Sequence, residues 1–273
     1  AGKTMMDRNA PDTVLDTPQS SFDVSKALIE QWHGKGCASY AITPRFAITS
    51  TPEQLEMARA LASEHPDCYI QTHLSAFTAE LYPHARDYLD VYEGYGLLGP
   101  RTLLGHAIHL KDREIGAIAD TGAHPVFCPT SNLFLGSGLF DDAGLRARGI
   151  QSGIATDIGA GTSYSMLQTL NEGCKILQLQ DQKLHTLRAF YWITCGNAEV
   201  LGMADKIGTL DAGTEADIVV VNARVTPAME VRMDRADSLS EELFVIQMMG
   251  DDRAIAQTYV AGIPQKQAPT RFQ

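Results

Sequence analysis

The stretch CYIQTHLSAFTAELY, residues 68–82, joins a short apolar run to a segment of helical character. Its first half is β-prone and ends at His73, and a strand followed by a helix is the repeating unit of parallel α/β folds. A histidine at such a strand end is either a structural turn residue or a ligand at the rim where the strand ends of a barrel meet. The neighbouring strands decide between these two interpretations.

The same alternation of strand and helix extends along the chain on both sides of this stretch. Short apolar runs bounded by turn residues predict buried parallel strands, and these runs are SYAITP (39–44), CYIQTH (68–73), TLLGHA (102–107), HPVFCP (124–129) and SGIATD (152–157). A repeat of about 20–35 residues fits either an open doubly wound sheet or a (β/α)8 barrel. No G-x-G-x-x-G or G-x-x-x-x-G-K-[ST] sequence follows a strand, so the barrel is favoured over a nucleotide-binding open sheet.

Helices are predicted between these strands. A Ser-x-x-Asp sequence predicts a helix that starts at Ser20. Thr51, followed by Pro52 at the first helical position and Gln54 three residues after the cap, predicts another. Apolar residues at three- and four-residue steps, or a closing glycine, predict further helices within residues 111–122, 163–180 and 184–202.

The pattern changes after about residue 205, where glycine turns separate short apolar strands. The segments KIGTLDAGTEADIVVVNA and AIAQTYVAGIPQ each contain one such strand, and a polar loop is predicted at 224–241 between them. We therefore predict a partial barrel over residues 1–203. Residues 204–273 are predicted to form part of a flanking β-sandwich, together with the last segment that packs on the barrel.

Composition excludes several classes of protein. The 273 residues carry a net charge of −11, which argues against a nucleic-acid partner. No apolar run approaches the ~20 residues of a membrane span, and the first residues lack the apolar core of a signal peptide. The five cysteines form no C-x-x-C pair, which predicts reduced thiols in the cytoplasm and argues against a cytidine-deaminase type of zinc site.

Polar side chains stand where the predicted strands end: Arg45, His73, His106 and Asp157. Each alone has an ordinary structural explanation, such as a turn residue or a salt bridge. Two histidines and an aspartate at successive strand ends together predict a hydrolytic metal site, because a barrel brings these ends to one rim. A catalytic zinc or iron needs about three protein ligands and an open position for water. No G-x-S-x-G sequence supports a serine hydrolase.

Six segments in order resemble the amidohydrolase superfamily, and most closely its guanine-deaminating branch: ITPRFAITS, IQTHLSAFTAE, LLGHAIHL, FCPTSNLFLGSG, IATDIGAGTSYSML and IGTLDAGTEADIVVVNA. The resemblance runs nearly end to end, and TPRF with TDIGAGTSYSML is its most specific part. It implies an α/β fold, a (β/α)8 TIM barrel of the amidohydrolase type (about strands 3–8) with a small flanking β-sandwich. It also implies one Zn²⁺ (or Fe²⁺), hydrolysis of guanine to xanthine and ammonia in purine catabolism, and a homodimer.

The resemblance also implies a role for each site residue. His73 and Asp157 would be metal ligands that also contact the substrate, and Asp157 would accept a proton from water. His106 would hydrogen-bond the hydroxide or the substrate. Arg45 and Phe46 would contact the purine, with Arg45 donating to the guanine carbonyl. The loop at 129–138 would help to close the pocket.

The sequence departs from the family pattern in two places. The family begins its barrel with a strand ending in His-x-His, and this chain contains no such triplet. We therefore expect the chain to be part of a longer protein. Ala76 stands where the pattern His-x-Ser-Glu has its proton-shuttling glutamate, and loss of a general acid/base costs about 10²–10⁴ in rate. Glu80 is a possible substitute, but helical periodicity would direct it elsewhere.

Two alternatives remain open at the level of sequence. One is a related deaminase or chlorohydrolase that acts on another purine or a triazine-like ring. The other is a non-catalytic purine-binding chain, which Ala76 and the missing His-x-His would favour.

Overall fold

The structure is a computed structural model that describes residues 1–74 and 82–266. It divides into two compact units, Ala1–Val126 with Gly144–Gln151, and Phe127–Ala143 with Ser152–Gln273. The division predicted after residue 203 stays a prediction. Within the described ranges, no helix combines the length and the apolar character that crossing a bilayer requires.

The first unit is built on parallel strands that pair in chain order. They are β1 (Thr4–Met5), β2 (Ala41–Pro44), β3 (Tyr69–Leu74), β4 (Thr102–His106) and β5 (His124–Phe127, of which Phe127 belongs to the second unit). The helices between them are α1 (Pro18–Trp32), α2 (Pro52–Glu64), α3 (Tyr88–Gly94) and α4 (Asp112–Thr121). The α/β class and the strands expected from the short apolar runs are thereby confirmed.

Local capping explains where the first two helices begin. The prediction that α1 starts at Ser20 is wrong, because the helix begins at Pro18 with Thr17 as its cap. The Thr17 hydroxyl accepts from the Ser20 backbone N–H at 3.1 Å, and the Ser20 hydroxyl accepts from the Thr17 N–H at 3.0 Å. A Thr-Pro pair is the stronger start signal, since proline at the first helical position has a preset φ and no N–H to satisfy. α2 begins as predicted, with the Thr51 hydroxyl accepting from Gln54 N–H at 3.2 Å.

A buried carboxylate joins two helices of the first unit. Glu114 in α4 is fully buried. One of its oxygens accepts from Lys111 N–H at 2.9 Å at the start of α4, and the other accepts from Leu89 N–H of α3 at 3.0 Å. Burial raises the pKa of Glu114 above its ordinary value, and the two backbone hydrogen bonds oppose that shift. The carboxylate thus satisfies the buried Leu89 N–H and the partly buried Lys111 N–H.

Replacing Glu114 with alanine is expected to destabilise the protein by about 1–3 kcal/mol, because the buried Leu89 N–H and the partly buried Lys111 N–H lose their acceptor. Urea denaturation followed by circular dichroism measures the change. The matched control is Glu30→Ala on α1, whose side chain is exposed and whose replacement is expected to change stability by no more than about 0.5 kcal/mol. Equal effects of the two substitutions would contradict the bridging role of Glu114.

The second unit contains the remaining helices and strands. They are α5 (Pro129–Leu135), β6 (Gly153–Ile154), α7 (Met166–Gln178) and α8 (Thr186–Tyr191), which continues through a π-helical segment (Trp192–Gly196) into α9 (Asn197–Val200). α6 (Asp142–Ala147) runs from this unit into the first. Phe127 anchors the core of the second unit, with its ring stacked on Phe140 at 4.7 Å and tilted against Trp192 at 5.8 Å between centroids. The Phe127 carbonyl accepts from Ala155 N–H just after β6, at 2.9 Å.

The segment after residue 205 forms a separate antiparallel sheet, as predicted. Its strands are β7 (Ile218–Val221), β8 (Ile255–Val260) and β9 (Ile263–Pro264). The polar loop predicted at 224–241 is wrong, because α10 (Pro227–Met233) lies within it and α11 (Leu239–Met249) begins within it. Met229 and Met233 pack against Val245 in a buried cluster, and this apolar contact stabilises a helix that is too short to be stable by itself.

Candidate functional site

β3 delivers His73 to the carboxyl edge of the sheet. Thr72 and Leu74 on either side of it are buried, and the alternation of side chains along a strand leaves His73 half-buried on the other face. Its backbone N–H donates to the Arg45 carbonyl at the end of β2, at 3.0 Å. In the parallel register with β4, His73 pairs with Gly105 and Leu74 with His106. The strand ends thus bring the predicted residues of the first unit together.

The rings of His73 and His106 form a direct pair. His73 Nδ1 lies 2.8 Å from His106 Nε2, and the rings are stacked with centroids 5.0 Å apart and planes at 17°. One nitrogen of this contact donates a proton and the other accepts it, so the two facing nitrogens share a single proton. Two imidazoles that face each other through their nitrogens can hold a proton or a metal ion.

The backbone around His106 is strained. His106 has a φ of 70° and Ala107 a φ of 47°, both in the left-handed region that non-glycine residues avoid. Gly105 precedes them, and a Cβ there would lie 3.3 Å from the Thr72 carbonyl oxygen and 3.7 Å from His73 Nδ1. Backbone strain persists where the surrounding structure enforces it, and it clusters at functional sites.

Arg45 and Phe46 stand beside the histidine pair. The Phe46 ring meets His73 edge to face with centroids 5.8 Å apart, and the Arg45 guanidinium carbon lies 5.3 Å from the Phe46 centroid. Arg45 is exposed. Its guanidinium stays in contact with water, and the desolvation cost of its charge is therefore small. An exposed guanidinium beside an aromatic ring and an imidazole pair suits a planar ligand with a hydrogen-bond acceptor.

Asp157 belongs to the second unit, where it follows β6. Its φ of 49° is also in the left-handed region, and its carbonyl accepts from Gly161 N–H at 2.6 Å. A Cβ at Gly161 would lie 1.9 Å from the Thr156 carbonyl oxygen and 2.8 Å from that of Asp157. The tight turn therefore requires glycine at 161. The Thr130 hydroxyl donates to the Thr156 carbonyl at 3.0 Å and holds the turn from α5.

The Asp157 turn should not tolerate a side chain at 161. Gly161→Ala is expected to cost about 1–3 kcal/mol of stability, because backbone atoms must move to make room. Gly116→Ala is the matched control, since a Cβ there meets nothing within 4 Å and alanine favours a helix interior by about 0.5–1 kcal/mol. Thermal denaturation distinguishes them, and a Gly161→Ala protein as stable as the parent would contradict the packed turn.

Sequence reasoning missed one neighbour of Asp157 and misjudged one segment. Cys128 is buried, and its sulfur lies within 4.8 Å of an Asp157 carboxylate oxygen; scattered cysteines give no signal for this contact. The predicted loop 129–138 is helical over Pro129–Leu135 and ends on a left-handed Gly136, with Phe134 67% exposed. Ala76 and Glu80 lie outside the described residues.

A second cluster of potential metal ligands, formed by His33, Asp67 and Cys68 in the first unit, has a structural explanation. His33 Nδ1 accepts from Tyr40 N–H at 3.0 Å, so a neutral ring carries its proton on Nε2 and donates it to Asp67 at 3.0 Å. This hydrogen bond lowers the pKa of Asp67, and burial raises that of Cys68 to about 11. A protonated Nε2 and a protonated thiol are poor ligands.

A cleft of about 370 Å³ in the first unit lies away from the histidine pair. It opens at the amino ends of β3 and β4, and its lining includes Arg59, Cys68 and Arg101. Catalytic groups in parallel barrels stand at the opposite, carboxyl ends of the strands. The cleft therefore belongs to the end of the strands that is associated with stability.

The sequence as a whole matches a family model. The model described as Amidohydrolase family matches residues 1–263. The chain therefore belongs to the amidohydrolase family, which is generally metal-dependent. A solved adenosine deaminase of Xanthomonas campestris with bound zinc, 22% identical, shares the fold with a TM-score of 0.80 over 96% of this chain and 59% of that chain.

Within the family, the chain is most informatively compared with guanine deaminases. It is similar to guanine deaminase of Escherichia coli, with 50% identity over 268 residues that cover 96% of this chain and 61% of that protein. The solved E. coli structure superposes with a TM-score of 0.96 at 48% identity, covering 98% of this chain and 64% of that chain. A solved guanine deaminase of C. acetobutylicum with guanine in its active site gives a TM-score of 0.86 at 28% identity, covering 96% and 64%. The chain thus spans less than two thirds of these relatives' length.

Proposed function

We propose that the protein containing this chain hydrolyses guanine to xanthine and ammonia. The observation that carries the proposal is the arrangement of Arg45, Phe46, His73 and His106 at adjoining strand ends. It offers a planar ligand an aromatic edge, a guanidinium donor and a pair of proton-handling rings. The similarity to guanine deaminases, one of them solved with guanine in its active site, supports guanine as the substrate.

The donor set of the chain fits a divalent metal. Imidazole nitrogens and carboxylate oxygens are the ligands of catalytic zinc and non-haem iron. We propose His73 and Asp157 as ligands, and the strained φ of Asp157 supports its role. When bound, Zn²⁺ (or Fe²⁺) supplies Lewis-acid chemistry and lowers the pKa of water toward neutrality.

The remaining residues are proposed to bind the purine and move protons. Arg45 donates to the guanine carbonyl, and Phe46 packs on the ring. Asp157 accepts a proton from the attacking water, while His106 hydrogen-bonds that water or the substrate. His73 and Asp157 also line the purine site, and the segment 129–138, with its exposed Phe134, helps to cover it.

Ala76 limits this chemistry. The oxygen of water attacks the carbon that carries the amino group, and the amino group must gain a proton to leave as ammonia. An alanine side chain can neither donate nor accept that proton. This favours the second candidate function, which is purine binding without efficient turnover. Hydrolysis of another purine or a triazine-like ring is the alternative within the family.

Restoring a glutamate is expected to raise activity. In the protein expressed from its complete coding sequence and loaded with zinc, Ala76→Glu should increase ammonia release from guanine by about 10²–10⁴-fold. Ala76→Gln is the control, because it has a similar shape without an ionisable group. If Ala76→Glu gives no gain while guanine still binds, the purine-binding alternative is supported instead. Turnover of another ring in a substrate panel would redirect the assignment within the family.

Removing His73 is expected to remove the metal. His73→Ala should lower both the zinc content, measured by elemental analysis, and ammonia release, the latter by at least about 10²-fold. His84→Ala, at an exposed position, is the control and should retain both. Removal of zinc by a chelator should reproduce the loss of activity in the parent and in the control. Added Zn²⁺ should then restore activity in these two proteins but not in His73→Ala. Full zinc content in His73→Ala would contradict the ligand assignment.

We also propose that the protein works as a cytoplasmic homodimer in purine catabolism. The five cysteines are all free thiols, which suits a reducing compartment. The dimer follows from the family resemblance, and analytical ultracentrifugation of the full-length protein tests it.

A further inference from the structure

We propose that Tyr92 is a positioning residue, which holds the purine-contacting segment Arg45–Phe46 in place against the strand end that carries His73. The inference rests on the proposed function, since it concerns how the same site holds its ligand. Tyr92 does not face the ligand itself. It acts through the backbone on either side of the site.

The Tyr92 hydroxyl bridges two backbone groups from different strand ends. Tyr92 lies in α3 and is 1% exposed. Its oxygen accepts from Ala47 N–H at 2.9 Å, and its proton is donated to the His73 carbonyl, also at 2.9 Å. A phenol has one proton to donate and lone pairs to accept. Both capacities are therefore used, and the two bonds require the hydroxyl rather than only the ring.

The bridge completes a clamp around Phe46. On one side of Phe46, the Arg45 carbonyl accepts from His73 N–H at 3.0 Å and from the Thr72 hydroxyl at 3.3 Å. On the other side, Ala47 N–H is held by Tyr92. Ala47 begins a short 3₁₀ helix, Ala47–Thr49, so its N–H has no partner within that helix. Without the hydroxyl, the segment keeps its bonds on the Arg45 side and loses the bond on the Ala47 side.

The clamp determines the distance between the groups that we assign to the purine and to the metal. Phe46 and His73 touch only edge to face at 5.8 Å, a weak contact that does not by itself fix a loop. The backbone bonds on both sides of Phe46 set that spacing. A purine in contact with Arg45 and Phe46 is thereby held at a set distance from His73. This contact contributes equally to binding in the ground state and in the transition state. Loss of such uniform binding raises KM and leaves kcat nearly unchanged.

The test is Tyr92→Phe in the full-length, zinc-loaded protein, with Tyr82→Phe as the matched control. The Tyr82 hydroxyl is also buried and donates to a backbone carbonyl, that of Ser50, at 2.7 Å, but it has no bond to His73. The measurements are the dissociation constants for guanine and xanthine by calorimetry, KM and kcat for ammonia release, zinc content and melting temperature. Calorimetry with guanine also serves if Ala76 prevents turnover.

Tyr92→Phe is expected to weaken purine binding and raise KM by about tenfold, with kcat changed less than about threefold and zinc content unchanged. Tyr82→Phe is expected to lower the melting temperature comparably, with the dissociation constants unchanged. Should Tyr92→Phe fail to fold, Thr72→Val tests the other side of the clamp. It is nearly isosteric, and it should raise the same dissociation constants by a smaller factor.

Three results would overturn the inference. The first is parallel weakening of purine binding in Tyr92→Phe and Tyr82→Phe, which would reduce the effect to general stability. The second is unchanged binding in a folded Tyr92→Phe protein or, if that variant does not fold, in Thr72→Val. The third is a parent protein that binds neither guanine nor xanthine, and it would remove the proposed function together with the inference.

Discussion

Two successive backbone hydrogen bonds tie three strand ends together, and the arrangement of the first unit's site depends on them. Arg45 N–H donates to the Met5 carbonyl at 3.0 Å, and His73 N–H donates to the Arg45 carbonyl at 3.0 Å. These bonds extend the β1–β2–β3 pairing to the carboxyl edge of the sheet. The parallel register then places His106 opposite Leu74. Side chains far apart in the sequence meet because parallel strands end at one edge.

Several predicted site residues have a strained backbone, and contacts in the surrounding structure compensate for the cost. Of the six non-glycine residues with positive φ in the described chain, His106, Ala107 and Asp157 are at or beside predicted site positions. Each left-handed residue costs about 1–2 kcal/mol. Gly105 and Gly161 keep the adjoining space free of a Cβ, and the packed strands and turns hold the strained residues in place. Such strain is expected where function requires a side-chain direction that an unstrained backbone would not give.

Much of the fold could be predicted because its signals are local. Short apolar runs located β2 to β6, and Thr51 with Pro52 located the start of α2. Predictions of helix positions failed where the local signal was weak or where a stronger signal stood nearby. The Thr17–Pro18 pair outranked Ser20 at the start of α1. α10 is a short helix that depends on burial of Met229 and Met233 against Val245, a contact between segments that the local sequence does not specify.

The sequence by itself determined the α/β class, the order of the strands and the residues at their ends: Arg45, His73, His106 and Asp157. Periodicity and capping express these features, and both act within a few residues. Only the tertiary structure decided that His73 and His106 face each other through their nitrogens, that His106 and Asp157 take left-handed backbones, and that Tyr92 bridges Ala47 and His73. These depend on contacts between residues separated by up to 45 positions along the chain, and no local pattern encodes which of many polar groups will meet across such distances.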